Sequence, residues 1–335
     1  MSLTSHLADT ESLVRRFIHS CAPELSFAGT RGAVGREAAE RFGFDELTSL
    51  ETRVPIPDEV KPAQRRSHAI TAGIALDYRI RFDLPGFDIA DTAAQKGLDR
   101  LALNPDVVHR GKHIERVLRE AALGLAYLTL KEPDPHPLSL ARASVPLAWC
   151  EAIYRAGPVT ALSGELGRQV KRAKDSVDLM MSIDEPLLFD IARMHSPISE
   201  LLAEWGRAAA EGTPYEPNPT FLGSPAVGGA DGDLVIGDLL IDVKTREEVT
   251  NPWLREALFQ LLGYVLLDVD DAHGIRRVGI MLPRQTHLQI WSLNELLGAE
   301  AADALPVLRE EFATLLVGIR NTRTGNASPA DAEKS

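Results

Sequence analysis

The chain has 335 residues, of which 44% are hydrophobic and 25% charged, and this composition is typical of a globular protein with one large or two ordinary domains. Asp and Glu outnumber Lys and Arg by 48 to 36, so the net charge of −12 gives the whole molecule no general attraction for a polyanion. No apolar run approaches the roughly 20 residues of a membrane span, and the N-terminus lacks a secretory signal pattern. The two cysteines, Cys21 and Cys150, match no metal or redox spacing, which favours a cytoplasmic protein with two buried thiols.

Helical periodicity dominates the first 210 residues. Apolar residues recur at helical spacing in the segments Glu11–Ala22, Asp91–Leu103, Val107–Leu130, Leu138–Ala156, Val159–Met181 and Pro186–Ala210, with an interruption of the last near Ser196-Pro197. The segment Ser67–Leu84 is ambiguous, because its first half is helical in pattern while Tyr78–Phe82 alternates like a strand. We favour a helix there because helical segments lie on both sides. Proline-bearing Leu50–Lys61 and Lys131–Pro137 are predicted to be irregular.

The pattern changes after residue 215 to short strands. The predicted elements are a lead-in strand Asn218–Leu222, a hairpin of Asp233–Ile236 and Leu239–Lys244, a helix Pro252–Leu267, strands Ile275–Leu282 and His287–Leu293, and a helix Leu293–Arg320. The polar tail Thr322–Ser335 is predicted to be disordered. The expected fold class is therefore α/β, with a helical region at 1–184, a core with a mixed sheet flanked by helices at 185–321, and a tail at 322–335.

The hairpin carries charges where an ordinary buried hairpin carries aliphatic residues. Asp242 and Lys244 are two positions apart, so their side chains leave the same face of a strand, and Asp233 opens the facing strand. Two converging carboxylates repel each other unless a cation or a proton lies between them. Hard oxygen donors of this kind suit Mg²⁺ or Mn²⁺, and a nearby lysine can orient water or neutralise charge on a phosphoryl oxygen. These residues therefore indicate metal-dependent phosphodiester cleavage.

The arrangement Asp233…Asp242-Val-Lys244 resembles the signature of the PD-(D/E)XK nuclease superfamily. Gln260-Leu-Leu-Gly-Tyr264 on the next helix resembles the Gln-x-x-x-Tyr motif of its RecB-like branch, and the likeness spans roughly Glu185–Leu293. The resemblance implies a restriction-endonuclease-like core and Mg²⁺- or Mn²⁺-dependent hydrolysis of nucleic acid, DNA first, in repair, restriction or defence. Two cysteines do not supply the four-cysteine iron–sulfur cluster that some RecB-like proteins carry.

The same resemblance implies roles for individual residues. Asp233 and Asp242 would bind the metal, with the Val243 carbonyl as a further ligand, and Lys244 would position or activate the attacking water. Gln260 and Tyr264 would organise the site and touch the substrate strand. The family also has a Glu or His on the helix before the sheet. For that position Glu200 is the preferred candidate, and Glu204, Asp190 and His195 stay open.

Local structural interpretations and other functions compete with this hypothesis. Asp231 and Asp238 are predicted to be turn residues, and the basic stretch Arg168–Lys174 is either a solvated helix face or a nucleic-acid contact. The helical region 1–184 is predicted to select the substrate or partner, with this stretch as a candidate contact surface. One alternative function is a non-catalytic nucleic-acid-binding or assembly protein that keeps a nuclease-like fold. Another is a nucleotidyltransferase, since Gly228-Gly229, Asp231-x-Asp233 and Asp242 imitate its acids, although this leaves Lys244 unexplained. The pattern does not decide between DNA and RNA or between internal and terminal cleavage.

Overall fold

A computed structural model describes residues 2–103, 105–131 and 134–325 of the chain. Five short helices occupy the first 49 residues: α1 (Leu3–Ala8), α2 (Leu13–Cys21), α3 (Pro23–Phe27), α4 (Ala33–Arg41) and α5 (Phe44–Ser49). Ten further helices precede the sheet: α6 (Arg65–Phe82), α7 (Ala93–Leu103), α8 (Pro105–Ala122), α9 (Gly124–Lys131), α10 (Pro137–Ala156), α11 (Pro158–Ala161), α12 (Glu165–Arg172), α13 (Ser176–Met181), α14 (Glu185–His195) and α15 (Ser199–Ala210). Short 3₁₀ turns lie at Pro62–Gln64, Ile89–Asp91, Ser196–Ile198 and Ser224–Val227.

The strands lie in the last third of the chain. They are β1 (Tyr215–Pro217), β2 (Leu234–Ile236), β3 (Leu239–Val243), β4 (Arg277–Leu282) and β5 (His287–Ser292), with α16 (Asn251–Leu267) between β3 and β4. Helices α17 (Leu293–Leu297), α18 (Ala299–Asp303) and α19 (Leu305–Gly325) follow β5. The strands form one sheet in the order β1-β2-β3-β4-β5, antiparallel except for β3 and β4, which are parallel because α16 crosses between them. The fold is therefore α/β with a mixed sheet.

Helices cover both faces of this sheet. Val235 and Leu240 pack into one hydrophobic core with α1–α5, α16 and α19, whereas Leu234 and Ile241 pack into a second core with α6 and the helices around it. Alternate residues of β2 and β3 thus point into different cores, as the pleat requires. Each of the two cores contains residues from both sides of the predicted boundary at 184. That residues 1–184 select a substrate or partner stays a prediction.

Several elements agree with the sequence prediction. The ambiguous segment is the helix α6, the chain between Leu50 and Lys61 is irregular, and a 3₁₀ turn at Ser196–Ile198 separates α14 from α15. The break at Lys131–Pro137 falls between α9 and α10, and residues 132–133 of it lie outside the described part of the chain. Among the described residues, no helix is long and apolar enough to cross a membrane.

Other boundaries were predicted wrongly. The segment Val159–Met181 is three helices, because Asp175 caps a new helix by accepting a hydrogen bond from Asp178 N, and Val107–Leu130 is divided at Leu123. The segment Leu293–Arg320 is also three helices, with Gly298 in the left-handed region (φ 81°) at the first break. The lead-in strand is Tyr215–Pro217 and not Asn218–Leu222, since Asn218 turns the chain with φ 59°. Helix α19 continues to Gly325 into the predicted disordered tail, and residues 326–335 lie outside the described part.

Helices α7 and α10 approach closely at Gly97. A Cβ atom on this residue would lie 1.8 Å from the carbonyl oxygen of Cys150 on α10. We therefore expect Gly97→Ala to destabilise the protein, although alanine ordinarily favours a helix by about 1 kcal/mol over glycine. Gly318→Ala in α19 is the matched control, because open space surrounds that position and the helical preference of alanine should prevail. Chemical denaturation measures both, and a stabilising Gly97→Ala would contradict the close approach.

His19 on α2 stacks on Phe259 of α16, with ring centroids 3.7 Å apart and planes inclined by 12°. Burial first, and then the charge of Arg15, lower the pKa of His19 from 6.5 to about 4. The folded state favours the neutral imidazole, whereas in the unfolded state His19 takes up a proton near pH 6.5. The stability that neutral His19 contributes is therefore complete above pH 6.5 and is lost as the pH falls toward 4. We expect the free energy of unfolding of His19→Phe to fall less steeply than that of the wild type over this range. Denaturant titrations at several pH values test this, and parallel curves would contradict it.

Candidate active site

The three charged hairpin residues converge at the end of β2 and β3. Continuing the antiparallel register beyond Leu234 and Ile241 brings Asp233 opposite Asp242. Asp233 and Asp242 alternate in register with Val235 and Leu240, so they lie on the face of the hairpin that packs against α16. Asp233 Oδ2 accepts a hydrogen bond of 2.7 Å from Val243 N, which fixes its carboxylate across the hairpin. Asp242 is only 3% exposed, so the two acids are held together at the edge of a hydrophobic core.

Burial dominates the electrostatics of Asp242. It raises the pKa of this carboxyl to about 7, Lys244 opposes the rise, and the neighbouring Asp233 adds to it. Lys244 Nζ lies 2.8 Å from Asp242 Oδ1, to which it donates a hydrogen bond, and 2.7 Å from Oδ2. Asp242 Oδ2 is buried and accepts no well-directed hydrogen bond from any described residue. The ion pair with Lys244 therefore leaves Asp242 Oδ2 without a hydrogen bond of good geometry.

Lys244 is held as a cation. Burial lowers its pKa, but the negative charges of Asp242 and Asp233 outweigh this, so that the pKa lies above its usual value. Its side chain remains 26% exposed, so the ammonium group can reach a molecule arriving from solvent. An ammonium group has no acceptor for a proton. The arrangement suits charge neutralisation and water positioning better than proton abstraction.

Helix α16 contributes Gln260 and Tyr264 from the neighbouring layer. Gln260 Nε2 donates a 2.7 Å hydrogen bond to Tyr264 Oη, as expected for residues one turn apart on a helix face. Burial, and then the charges of Asp242 and Asp233, raise the pKa of Tyr264 well above its usual value. Tyr264 is therefore a neutral phenol close to both carboxylates. The structure brings together these four residues and Lys244.

The sequence interpretation missed two residues of α6, Asp77 and Arg81. The helix can pass close to the end of β3 because Gly73 lacks a side chain: a Cβ there would lie 2.6 Å from Thr245 Oγ1. Arg81 Nη2 lies 2.5 Å from Asp77 Oδ2 and 3.8 Å from Asp233 Oδ1. The 3.8 Å contact is an ion pair without a hydrogen bond. A buried cation from the helical part of the chain thus lies against one of the two acids.

Asp77 is an additional acid at this position. Burial raises the pKa of Asp77 to about 8, against the effect of Arg81, and the charges of Asp233 and Glu151 add to the rise. Its side chain is 15% exposed. The i, i+4 spacing of Asp77 and Arg81 marks a helical ion pair in the sequence. No feature of the sequence indicates, however, that this pair packs beside Asp233.

The four candidates for the upstream ligand lie elsewhere in the structure. Glu200 and Glu204 are exposed on α15, and no described ion pair or hydrogen bond joins either of them to Asp233 or Asp242. Asp190 is fully buried and accepts two hydrogen bonds from Arg284, at 2.9 and 2.8 Å. His195 pairs with Asp83. The preferred candidate Glu200 is therefore not brought into the cluster.

The basic stretch Arg168–Lys174 is divided between α12 and the turn after it. Arg168 pairs with Glu165 at 2.5 Å, and both side chains are 58% exposed. Exposed pairs of this kind contribute little to stability. The stretch is a partly neutralised solvated surface, and its contact with nucleic acid stays a prediction.

The loop after β3 is held by long-range hydrogen bonds. Arg284 Nε donates to the carbonyl of Thr245 at 2.8 Å, and Gln285 Nε2 donates to the carbonyls of Arg246 and Glu247, both at 3.0 Å. Thr52 Oγ1 also donates to the Glu247 carbonyl, at 2.6 Å. Four side-chain hydrogen bonds from distant parts of the chain therefore fix the backbone immediately after Lys244.

The same loop presents an exposed cation beside an aromatic ring. The guanidinium carbon of Arg246 lies 4.9 Å from the ring centroid of Trp253, a cation–π contact. Trp253 is seven residues before Gln260 and therefore lies on the same face of α16. Nucleic-acid strands commonly bind to stacked arginine and aromatic groups. Arg246, two residues after Lys244 in the chain, thus forms a cation–π pair with the first turn of α16.

The residues partly fit a divalent metal. Among the described residues, no group of three His, Cys, Asp or Glu side chains has the spacing to hold a metal ion. Asp233 and Asp242 nevertheless supply two adjacent carboxylates, and Asp242 Oδ2 is a buried oxygen without a directed donor. Mg²⁺ is commonly bound through one or two carboxylates while water and substrate oxygens complete its shell. The donor set therefore suits Mg²⁺ held by two carboxylates.

Both cysteines are buried, as predicted. Burial raises the pKa of Cys21 to about 11 and that of Cys150 to about 12, so neither thiol is a nucleophile near neutral pH. The candidate chemistry therefore rests on the carboxylates, Lys244 and their neighbours.

Comparison of the chain with models of known families, with curated proteins and with solved structures found no match.

Proposed function

We propose that this protein is a metal-dependent nuclease of PD-(D/E)XK type that hydrolyses phosphodiester bonds, with DNA as the first expected substrate. The observation that carries the proposal is the convergence of Asp233, Asp242 and Lys244 at one end of the sheet, with an oxygen of Asp242 that lacks a directed donor. A mixed sheet in which the hairpin β2–β3 is followed by α16 and the parallel strand β4 also supports the proposal.

Each residue has a role that follows from its contacts. A bound Mg²⁺ would supply Lewis-acid activation of the phosphate and of a water molecule. Asp233 and Asp242 would hold that ion, since their carboxylates are adjacent and one is buried. Lys244 would neutralise charge that develops on a phosphate oxygen, because its ammonium group is retained by the two acids and is partly exposed.

The neighbouring residues would organise the site. Tyr264, fixed by Gln260, is a neutral donor beside the carboxylates. Arg246, stacked on Trp253, would contact the substrate strand next to the reacting phosphate. The net charge of −12 makes such local cations and the metal necessary for binding a polyanion.

The primary test is cleavage of end-labelled linear duplex DNA, single-stranded DNA, circular duplex DNA and RNA, with Mg²⁺, with Mn²⁺ and with EDTA. The proposal predicts cleavage of at least one DNA substrate with a divalent ion and none in EDTA. Circular substrate separates internal from terminal cleavage, and RNA tests the choice of nucleic acid. Inertness on every substrate with both metals would refute the proposal.

A non-catalytic nucleic-acid-binding or assembly protein with this fold is the second candidate. The observation in its favour is that the described residues offer no three-residue metal group. Binding without cleavage in the same experiment, measured by fluorescence anisotropy of labelled DNA, supports this second function. A nucleotidyltransferase would instead incorporate labelled nucleotide in the presence of Mg²⁺.

A further inference from the structure

A buried arginine of α6 is anchored beside the carboxylates of the proposed active site. The side chain of Arg81 is only 6% exposed. Its Nε donates a 3.1 Å hydrogen bond to Asp77 Oδ1, and its Nη2 lies 2.5 Å from Asp77 Oδ2. Its Nη1 donates a 2.9 Å hydrogen bond to Asn218 Oδ1. Because an arginine side chain keeps its proton in proteins, Asp77 and Asn218 hold a permanent positive charge in a fixed position.

This cation lies against Asp233 without binding it. Arg81 Nη2 is 3.8 Å from Asp233 Oδ1, which is too far for a hydrogen bond. The other oxygen of that carboxylate, Oδ2, accepts a hydrogen bond from Val243 N, and no described N–H group donates to Oδ1. Oδ1 is therefore open to a metal ion, while a positive charge acts on the same position through a poorly solvated interior.

The second acid has a cation of its own. Lys244 Nζ lies 2.8 and 2.7 Å from the two carboxylate oxygens of Asp242. A divalent ion between Asp233 and Asp242 thus meets repulsion from two neighbouring positive charges. Lys244 is 26% exposed and can turn toward a substrate phosphate, whereas buried Arg81 is held in place by its anchors. The repulsion from Arg81 therefore persists when the ion binds.

We propose that Arg81 is a positioning residue that keeps the metal affinity of the protein low, so that a divalent ion is held firmly only together with a substrate phosphate. The role rests on the proposed nuclease function, because it acts through the two acids of that site. With an ion bound, the positive charges of the ion and the two cations exceed the negative charges of the two metal-binding acids and Asp77 by at least one. A phosphodiester supplies the missing negative charge and further oxygen ligands for the ion.

Titration of the protein with MnCl₂ in the absence of DNA tests this role without catalysis. Electron paramagnetic resonance of the unbound Mn²⁺ measures the bound fraction. Asn218→Asp places a carboxylate against Arg81 and keeps its pair with Asp77, and aspartate tolerates the φ of 59° at this position. We expect this variant to bind Mn²⁺ about fivefold more tightly or better, because the new charge offsets that of Arg81.

Asn294→Asp is the matched control, since it adds the same charge at the exposed start of α17. It lies at the other end of the sheet, because Ser292 pairs with Arg277 at the start of β4 while Val243 pairs with Met281 near its end. Its Mn²⁺ affinity should equal that of the wild type. Equal tightening in Asn218→Asp and Asn294→Asp would show a general charge effect and overturn the role of Arg81.

A second variant removes the ion pair itself. Asp77→Asn/Arg81→Gln replaces both charges with neutral groups of similar size and leaves no unpaired charge in the interior. Arg81 contacts both Asp77 and Asp233, so it is the nearer of the two charges to the metal position. We therefore expect this variant also to bind Mn²⁺ about fivefold more tightly. If Arg81 only maintains the structure around Asp233, both variants should bind Mn²⁺ equally or more weakly, and that result would overturn the proposal.

The substrate should respond with the opposite sign. At saturating Mn²⁺, Asn218→Asp is expected to raise the KM for DNA about threefold or more with a smaller change in kcat, because the loaded site has lost positive charge. A wild type that cleaves DNA, with variants of unchanged Mn²⁺ affinity, would overturn the role of Arg81 and leave the nuclease proposal standing. Tighter Mn²⁺ binding by the variants of a protein that cleaves no substrate would support the effect of Arg81 on the metal and refute the nuclease. Absence of Mn²⁺ binding in every variant would overturn the role.

Discussion

Replacing Lys244 with methionine is expected to lower the rate of Mg²⁺-dependent DNA cleavage about 100- to 1,000-fold, the loss typical when a group that stabilises transition-state charge is removed. Methionine keeps most of the side-chain volume and removes only the ammonium group. That group contacts both carboxylate oxygens of Asp242 and is partly open to solvent. Initial rates at saturating substrate and metal measure the effect.

Lys61→Met is the matched control for this experiment. Lys61 is exposed and precedes α6, with no described ion pair, so its replacement should leave the rate within about a factor of two. Equal rates for wild type and Lys244→Met would remove Lys244 from the mechanism. Cleavage that persists in both Lys244→Met and Asp242→Asn would show that the activity comes from another site or from a contaminant.

The stability of Lys244→Met must be measured beside its activity. Loss of the ammonium group leaves Asp242 buried with no cation in contact, and such a group ordinarily takes up a proton. The double variant Asp242→Asn/Lys244→Met removes this unpaired charge. It should unfold at a higher denaturant concentration than Lys244→Met alone and should stay inactive. Restored folding without restored cleavage separates the catalytic loss from the structural one.

Asp190→Asn is expected to lower the free energy of unfolding by about 3–5 kcal/mol, the cost typical of breaking a buried ion pair on one side. Asp190 and Arg284 are both fully buried and share two hydrogen bonds, and His68 bonds to the same carboxylate. The variant leaves the guanidinium group of Arg284 in the interior without its counter-ion. Urea denaturation followed by circular dichroism measures the loss.

Asp58→Asn provides the control, since Asp58 is exposed and has no described partner, and its replacement should change stability by less than about 0.5 kcal/mol. The experiment also decides the role of Asp190, which the sequence left open as a metal ligand. If Asp190 has a structural role, Asp190→Asn should be strongly destabilised, and the molecules that remain folded should still cleave DNA. A variant that is fully stable but inactive would instead identify Asp190 as a ligand.

The local parts of the candidate site are predictable from the sequence. Alternation, a Gly-Asp turn and the two-residue spacing of Asp242 and Lys244 determine which side chains share a strand face. The four-residue spacing of Gln260 and Tyr264 determines a shared helix face in the same way. These relations depend only on the period of the element, so an error of one residue at a strand end does not change them.

The remaining parts depend on how distant elements pack. The preference for Glu200 assumed that the helix next in sequence to the sheet would supply an acid, but Glu200 is exposed on α15. The acid near Asp233 is Asp77 of α6, more than 150 residues earlier in the chain. Its approach requires the close contact of Gly73 with Thr245, which no periodic pattern encodes. Breaks in the long helical segments were missed for a related reason, since short caps and single glycines end those helices.

The long-range hydrogen bonds around the loop after Lys244 also affect when the site forms during folding. Thr52 reaches Glu247 across 195 positions, and Arg284 reaches Val54 across 230. Closing such large loops is slow and entropically costly, so these contacts are expected to form late, after the local helices. Once formed, the loop can open only by disrupting contacts with both earlier and later parts of the chain. A fragment beginning at residue 185 would keep Arg284 and Gln285 but would lack Thr52 and Val54, the earlier partners in this network.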